Sequence, residues 1–355
     1  MKSSFRLRLA SFAPFALLAC SSSAADGPAA DPDASVDAST VDGGADGAVR
    51  PDDGTPVDTA AGDSSVTPGD SIVADTAIDG APSGCITDKS AGTHVFTCDG
   101  FKYDVTIPTA CASAAKGKCG LVLDVHGATM SGKMEDNNTG LRAAGQKHGY
   151  VVVQPNANPS PPSSSWNPGT DDDKVFAFLT LAIGALGIDD RRVHMTGFSQ
   201  GGMMSSRFLC KHADVFASIA PAAGTGCTFA GSDTPSVEIP VFYMHGTSDA
   251  LVAFSAGTAQ RDALVAAWKM SGETVIASDA KYKHTRWTNA AGTTFEFIQH
   301  DYQASSFVLK GHCYPGSPDL KGGEPGQLFG FACTDAAAFT WGDVVMRFFL
   351  DHPRK

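Results

Sequence analysis

The chain has 355 residues, a formal net charge of −12 and 18% charged residues. The acidity is concentrated: residues 21–84 hold thirteen aspartates and one arginine, with no Lys or Glu. The rest is close to neutral, so nothing in its charge suggests a nucleic-acid partner, and the length suits one large α/β domain with appendages.

Residues 1–20 read as an export leader. Lys2, Arg6 and Arg8 form a basic start, and Leu9 to Ala19 is an apolar run broken by Pro14. That run is too short to span a bilayer. It ends in Leu17-Leu18-Ala19-Cys20, which resembles the lipobox of bacterial lipoproteins. Cys20 is then the expected lipidation site, and the lipid anchor the only expected contact with a membrane. Ser21 resembles the outer-membrane sorting pattern. An exported protein is expected, lipid-anchored at the outer membrane or cell surface, or secreted. The alternative is an ordinary secretory leader with an incidental Cys.

Residues 21–84 read as a linker. They contain no aromatic residue and no Cys, so they offer too little apolar surface to offset ordering entropy. A random coil of this length reaches on the order of 45 Å. Its Asp-Gly pairs invite a calcium reading, but an EF-hand loop closes on a Glu that this stretch lacks. No metal is expected.

Residues 85–355 read as the catalytic domain. Its eight cysteines fall into four local couples, which suggests the sequential disulfides Cys85–Cys98, Cys111–Cys119, Cys210–Cys227 and Cys313–Cys333. No C-x-x-C occurs, which argues against zinc. Thr93–Thr97 and Phe101–Ile107 read as a hairpin through Asp99-Gly100. Leu121–Val125 reads as a buried parallel strand ending in His126-Gly127-Ala128-Thr129. A helix is predicted over 141–148 and a strand over 150–153. A Pro/Ser-rich loop follows, in which Trp166 either walls an acyl pocket or covers the core edge. Asp171–Asp173 suit the start of a helix reaching Leu186.

Next comes Gly197-Phe198-Ser199-Gln200-Gly201-Gly202, between a strand-like 191–196 and a helix-like 203–209. Strand, sharp turn and helix with Ser at the apex make a nucleophile elbow. Ser199 is the candidate nucleophile. The N–H groups of Gln200 and of Ala128, with Thr129 as substitute, are the candidate oxyanion donors. Strands are predicted over 216–220 and from Ile239, the latter leading to Asp249, the candidate acid; Asp262, inside a predicted helix over 260–270, is the weaker choice. A last strand is expected over 305–310, delivering His312 as the base. His126 reads as a loop-shaping residue and His300 as a strand-end surface residue. An amphipathic helix is predicted over 336–350. The order Ser199, Asp249, His312 is that of α/β-hydrolases.

Three stretches carry a family resemblance. Gly197 to Met204 is similar to the elbow of the polyhydroxybutyrate depolymerase / LpqC-like esterases, relatives of the feruloyl and acetylxylan esterases of carbohydrate esterase family 1. His245-Gly246-Thr247-Ser248-Asp249 resembles their acid loop. Gly311-His312-Cys313-Tyr314-Pro315-Gly316 resembles their Gly-His-x-Trp-Pro-Gly loop, with Tyr314 where Trp is usual and Lys310 where Gly is usual. The resemblance implies an α/β-hydrolase fold, with a mostly parallel central sheet flanked by helices. No large lid is expected, because only a short Gly/Thr/Ser/Pro loop fits between residues 220 and 240. The resemblance also implies a secreted serine carboxylic ester hydrolase working through Ser199, Asp249 and His312, with no cofactor. The substrate would be an ester, open to plant cell-wall polysaccharide esters or polyhydroxyalkanoate, with Trp166 and Thr129 as candidate substrate-binding residues. The rivals are a non-catalytic surface-binding lipoprotein and a serine peptidase on the same fold.

Overall fold

A computed structural model describes residues 84–112, 114–227, 235, 237–319 and 330–355. The leader, Cys20 and the linker up to residue 83 lie outside the described residues. Strands β1 (Gly92–Cys98) and β2 (Phe101–Ile107) form the predicted hairpin. Asp99 and Gly100 take φ of 47° and 77° at its tip, as a type I′ turn requires. The short helix α1 (Thr109–Ala112) leads to β3 (Gly120–Val125), α2 (Gly132–Thr139), α3 (Leu141–His148) and β4 (Tyr150–Asn156). Helix α4 (Thr170–Leu186) precedes β5 (Val193–Phe198), and α5 (Gln200–His212) precedes β6 (Ser218–Ala222) and β7 (Val241–Gly246). Then come α6 (Phe254–Ala267), β8 (Ser271–Ser278), β9 (Tyr282–Thr288), β10 (Thr294–His300) and α7 (Trp341–Asp351).

The ten strands make one sheet in the order β1-β2-β4-β3-β5-β6-β7-β10-β9-β8. The six strands from β4 to β10 are parallel, and an antiparallel pair borders them on each side. Every residue of β3, β5, β6 and β7 is buried, because helices cover both faces of a parallel sheet. The alternation along β3 divides the core: Leu121, Leu123 and Val125 pack on one face with Met195 and Phe208, while Val122 packs on the other with Phe198, Phe242 and Trp341. Asp124 shares the second face, where helices α2, α3 and α7 gather.

The four sequential disulfides are all present, with Cα separations of 5.7, 5.8, 6.0 and 5.1 Å. Several predicted elements need correction. Residues 305–310 are turns and not a strand, and Phe307 there is 86% exposed. The last strand is β10. Helix α6 begins at Phe254 rather than Gln260, β6 at Ser218 rather than Phe216, and α7 at Trp341 rather than Ala336. The β8–β9 pair was not foreseen, because Ser271–Ser278 is exposed almost throughout and lacks an apolar alternation. The 220–240 connection, where a lid would sit, is described at 220–227, 235 and 237–240 only.

Candidate active site

Ser199 sits between the end of β5 and the start of α5 with φ 55° and ψ −116°. That backbone is costly for a residue with a side chain, and tight packing holds it. A Cβ on Gly197 would meet the Gly201 backbone at 2.6 Å and the Val125 carbonyl oxygen at 2.7 Å, so only glycine fits. The Ser199 N–H donates to the Ala222 carbonyl at 2.9 Å, pinning the turn to β6.

The loop after β3 carries the second candidate oxyanion donor. His126 is fully buried, its Nδ1–H donating to the Gly127 carbonyl (2.7 Å) while Nε2 accepts from the Ala157 N–H (3.1 Å). Burial pushes this imidazole down to about 4, so it stays neutral and shapes the loop, as expected from sequence. Trp166 does not line an open pocket. It is 3% exposed, and its indole N–H donates to the His126 carbonyl at 2.8 Å. Its backbone N–H donates to Gln200 Oε1 at 2.9 Å. It therefore braces the loop after β3 against the elbow, which favours the core-edge reading over the acyl-pocket wall. The Thr129 N–H is taken by the Ser164 carbonyl at 2.8 Å. The backbone N–H groups of Gln200 and Ala128 have no backbone acceptor among the described residues, which favours Ala128 over Thr129 as donor.

Asp249 lies three residues beyond β7. Its Oδ1 accepts from the N–H groups of Leu251 (2.9 Å) and Val252 (2.8 Å). Its Oδ2 accepts from His312 Nδ1 at 2.6 Å. Burial pushes the Asp249 carboxyl up, but hydrogen bonds and charge from His245 and His312 outweigh it and hold the group well below the usual carboxylate range. His245, at the start of the acid loop, backs this carboxylate. Its ring is buried, Nε2 donating to the Val252 carbonyl at 2.9 Å and standing 3.5 Å from Asp249 Oδ2. Asp262 is exposed and pairs with its neighbour Arg261, so it is no acid candidate.

A backbone bridge between Asp249 and Lys310 ties the acid and base loops together. Lys310 has φ 47°, the left-handed region that explains why Gly is usual at this place in the resembled family. The Cys313–Cys333 disulfide closes the base loop from behind. His312 is buried, its Nε2 has no hydrogen-bond partner among the described residues, and its ring lies 4.6 Å from that of Phe198, the residue before Ser199. The structure thus joins Asp249 to His312 directly and sets His312 beside the elbow, without a closed Ser199–His312 hydrogen bond. His300 is buried at the end of β10, not on the surface, and burial lowers its imidazole to about 3. Among the described residues no group of three or more His, Cys, Asp or Glu could hold a metal ion.

Residues 178–300 match the Phospholipase/Carboxylesterase family, from within α4 to the end of β10. The chain has the α/β-hydrolase fold. Proteins similar to this chain include a bifunctional acetylxylan esterase/xylanase of Neocallimastix patriciarum, 30% identical over 36% of this chain and 19% of that protein. Feruloyl esterase B of Piromyces equi is 26% identical over 50% of this chain and 33% of that protein. A poly(3-hydroxybutyrate) depolymerase of Ralstonia pickettii is 32% identical over 33% of this chain and 28% of that protein. The chain spans a third or less of the length of these three relatives. They are the kinds of esterase that the three loops resemble.

Proposed function

We propose that the protein is an exported serine esterase that cleaves carboxylic esters through Ser199, Asp249 and His312. The reading rests above all on the buried Asp249–His312 hydrogen bond of 2.6 Å, set beside a strained Ser199 at a strand-to-helix turn. His312 Nε2 takes the Ser199 hydroxyl proton as Oγ attacks the ester carbonyl. Asp249 holds the imidazole in the Nδ1–H tautomer and stabilises the imidazolium that forms. The N–H groups of Gln200 and Ala128 carry the oxyanion. His312 then gives its proton to the leaving alcohol and activates the water that cleaves the acyl-enzyme. The four disulfides support export, and Cys20 supplies the lipid anchor. The relatives point to acetyl or feruloyl esters of plant cell walls, or to polyhydroxybutyrate, as substrates.

Purified protein assayed in parallel on p-nitrophenyl acetate, methyl ferulate and a polyhydroxybutyrate film tests this. Turnover should vanish in Ser199→Ala, and a fluorophosphonate should label Ser199. Unchanged turnover in that variant, or label on another serine, would sink the proposal.

A further inference from the structure

Behind the base loop, on the sheet face shared with α2, lies a cluster of acids that the ester chemistry does not use. Asp124 on β3 and Glu135 on α2 are both buried, Asp124 Oδ1 and Glu135 Oε2 have no hydrogen-bond partner among the described residues, and the charge of Asp124 raises the Glu135 carboxyl. Two buried carboxyls whose charges act on each other and whose free oxygens lack another partner are held together by a proton rather than both ionised. Asp124 Oδ2 also accepts from Gln154 Nε2 (2.7 Å) and the Thr139 hydroxyl (3.1 Å). The Tyr314 hydroxyl donates to Glu135 Oε1 in a short hydrogen bond.

The surrounding charges do not relieve the pair. Asp136 on α2 and Asp104 on β2 add two more acids. The nearby cation, Arg142 on α3, is spent on Asp104 (2.8 Å), on Gln154 Oε1 (2.6 Å) and, at 3.9 Å, on Asp136. From β5, His194 is buried and held neutral, its imidazole lowered to about 3 by burial. Helix α7, which meets α2 where Gly342 packs on Thr139, leaves Asp343 and Arg347 exposed. Lys133, also on α2, is exposed and has a partner of its own. Among the described residues a proton therefore takes the place of a cation at the pair.

Tyr314 links this cluster to the site. It is two residues from His312 and fully buried, with its ring stacked on Phe198 at 4.3 Å. Phe198 in turn meets the His312 ring at 4.6 Å. Backbone bonds to Phe331 (2.7 Å) and from Cys333 (2.9 Å) hold the Tyr314 main chain. A Trp here could not accept the same role, because its N–H sits elsewhere on the ring than the phenol oxygen.

We propose that Tyr314 is a positioning residue for His312, and that the proton shared by Glu135 and Asp124 holds it in place. Loss of that proton sets two buried carboxylates against each other, pushes Glu135 off the Tyr314 hydroxyl and releases the base loop. Burial lifts the Asp124 carboxyl to about 7 and Glu135 well above the usual range, so the last proton is held past neutrality. The inference rests on His312 being the base of the proposed esterase.

The test uses the full chain in three forms: wild type, Tyr314→Phe and Glu135→Gln, the last able to hydrogen-bond Tyr314 and Asp124 without a titrating proton. Two readouts are taken from pH 5 to 10: kcat and KM on p-nitrophenyl acetate, and the low-field NMR resonance of the His312 Nδ1–H, assigned by its loss in His312→Gln. Tyr314→Phe should lower kcat roughly 10-fold at pH 7 with little change in KM and broaden the resonance. Wild type should lose kcat and the resonance together at alkaline pH, and Glu135→Gln should move both losses up by about one pH unit or more. Wild-type profiles in Tyr314→Phe, or an alkaline loss unmoved in Glu135→Gln, would overturn the proposal. Absence of ester turnover in wild type would count against the esterase reading alone, since the resonance reports the brace without it.

Discussion

Asp172 near the start of α4 and Arg207 on α5 form a buried two-pronged ion pair, Nε to Oδ2 at 2.6 Å and Nη2 to Oδ1 at 2.7 Å. Asp172 also accepts from the Gly169 N–H that opens its own helix. The pair joins the helix after the Pro/Ser loop to the helix that begins at Ser199, so it fixes one side of the elbow.

Removing one partner leaves a buried charge unpaired. Arg207→Met should therefore destabilise the protein by about 3–5 kcal/mol, while Asp172→Leu with Arg207→Met should recover most of the loss. Urea unfolding of the single and double variants measures both. A single variant as stable as wild type would contradict the ion-pair account.

Asp249→Asn should keep the fold and lower kcat by roughly 10³–10⁴-fold, because an amide no longer fixes the Nδ1–H tautomer of His312. KM should hardly move. The Asp249 carboxyl is held below its ordinary range, so its stabilisation is present above the unfolded value near 4 and is lost as pH falls further. The same Asp249→Asn change should flatten that acid loss, which thermal melts between about pH 2.5 and 5 will show.

Asp124 works in the opposite direction. Its folded carboxyl is raised to about 7, so the native state binds more protons than the unfolded chain. This contribution is complete below the unfolded value near 4 and lost as pH rises through about 7. Asp124→Asn should shrink the difference in unfolding free energy between about pH 4.5 and pH 8. An unchanged difference would mean that Asp124 ionises normally in the fold.

Trp166→Phe keeps an aromatic ring and removes the indole N–H that holds the His126 carbonyl. We expect kcat to fall about 10-fold through misplacement of the Ala128 donor. The preference between acetyl and feruloyl esters should stay as it was. A changed acyl preference would instead place Trp166 against the substrate.

The Cys313–Cys333 bridge closes a loop with a sequence separation of 20. Its removal as the double Ala variant should cost about 3 kcal/mol by chain entropy and loosen the loop that carries His312. Calorimetry with parallel kcat measurements checks both effects.

The parts legible in the sequence were those set by short-range chemistry. Gly197 and Gly201 around Ser199 announce a turn that no larger residue fits. Asp99-Gly100 announces a hairpin, and continuous apolar runs announce β3 and β7. The local cysteine couples anticipated the four bonds. Other features needed the tertiary structure, because distant residues decide them. The exposed, polar β8 becomes a strand only because β9 offers it a ladder. Residues 305–310 have strand-like composition, yet backbone bonds to Asp249 and Ala304 turn them into a loop. Trp166 could wall a pocket or fill the core, and the His126 carbonyl and Gln200 side chain decide for the core. Asp124 stood in an apolar strand as a signal, an acid where burial is expected. Its partner Glu135 and the Tyr314 hydroxyl come from separate parts of the chain, and only the packing of α2 and the base loop onto one sheet face brings the three together.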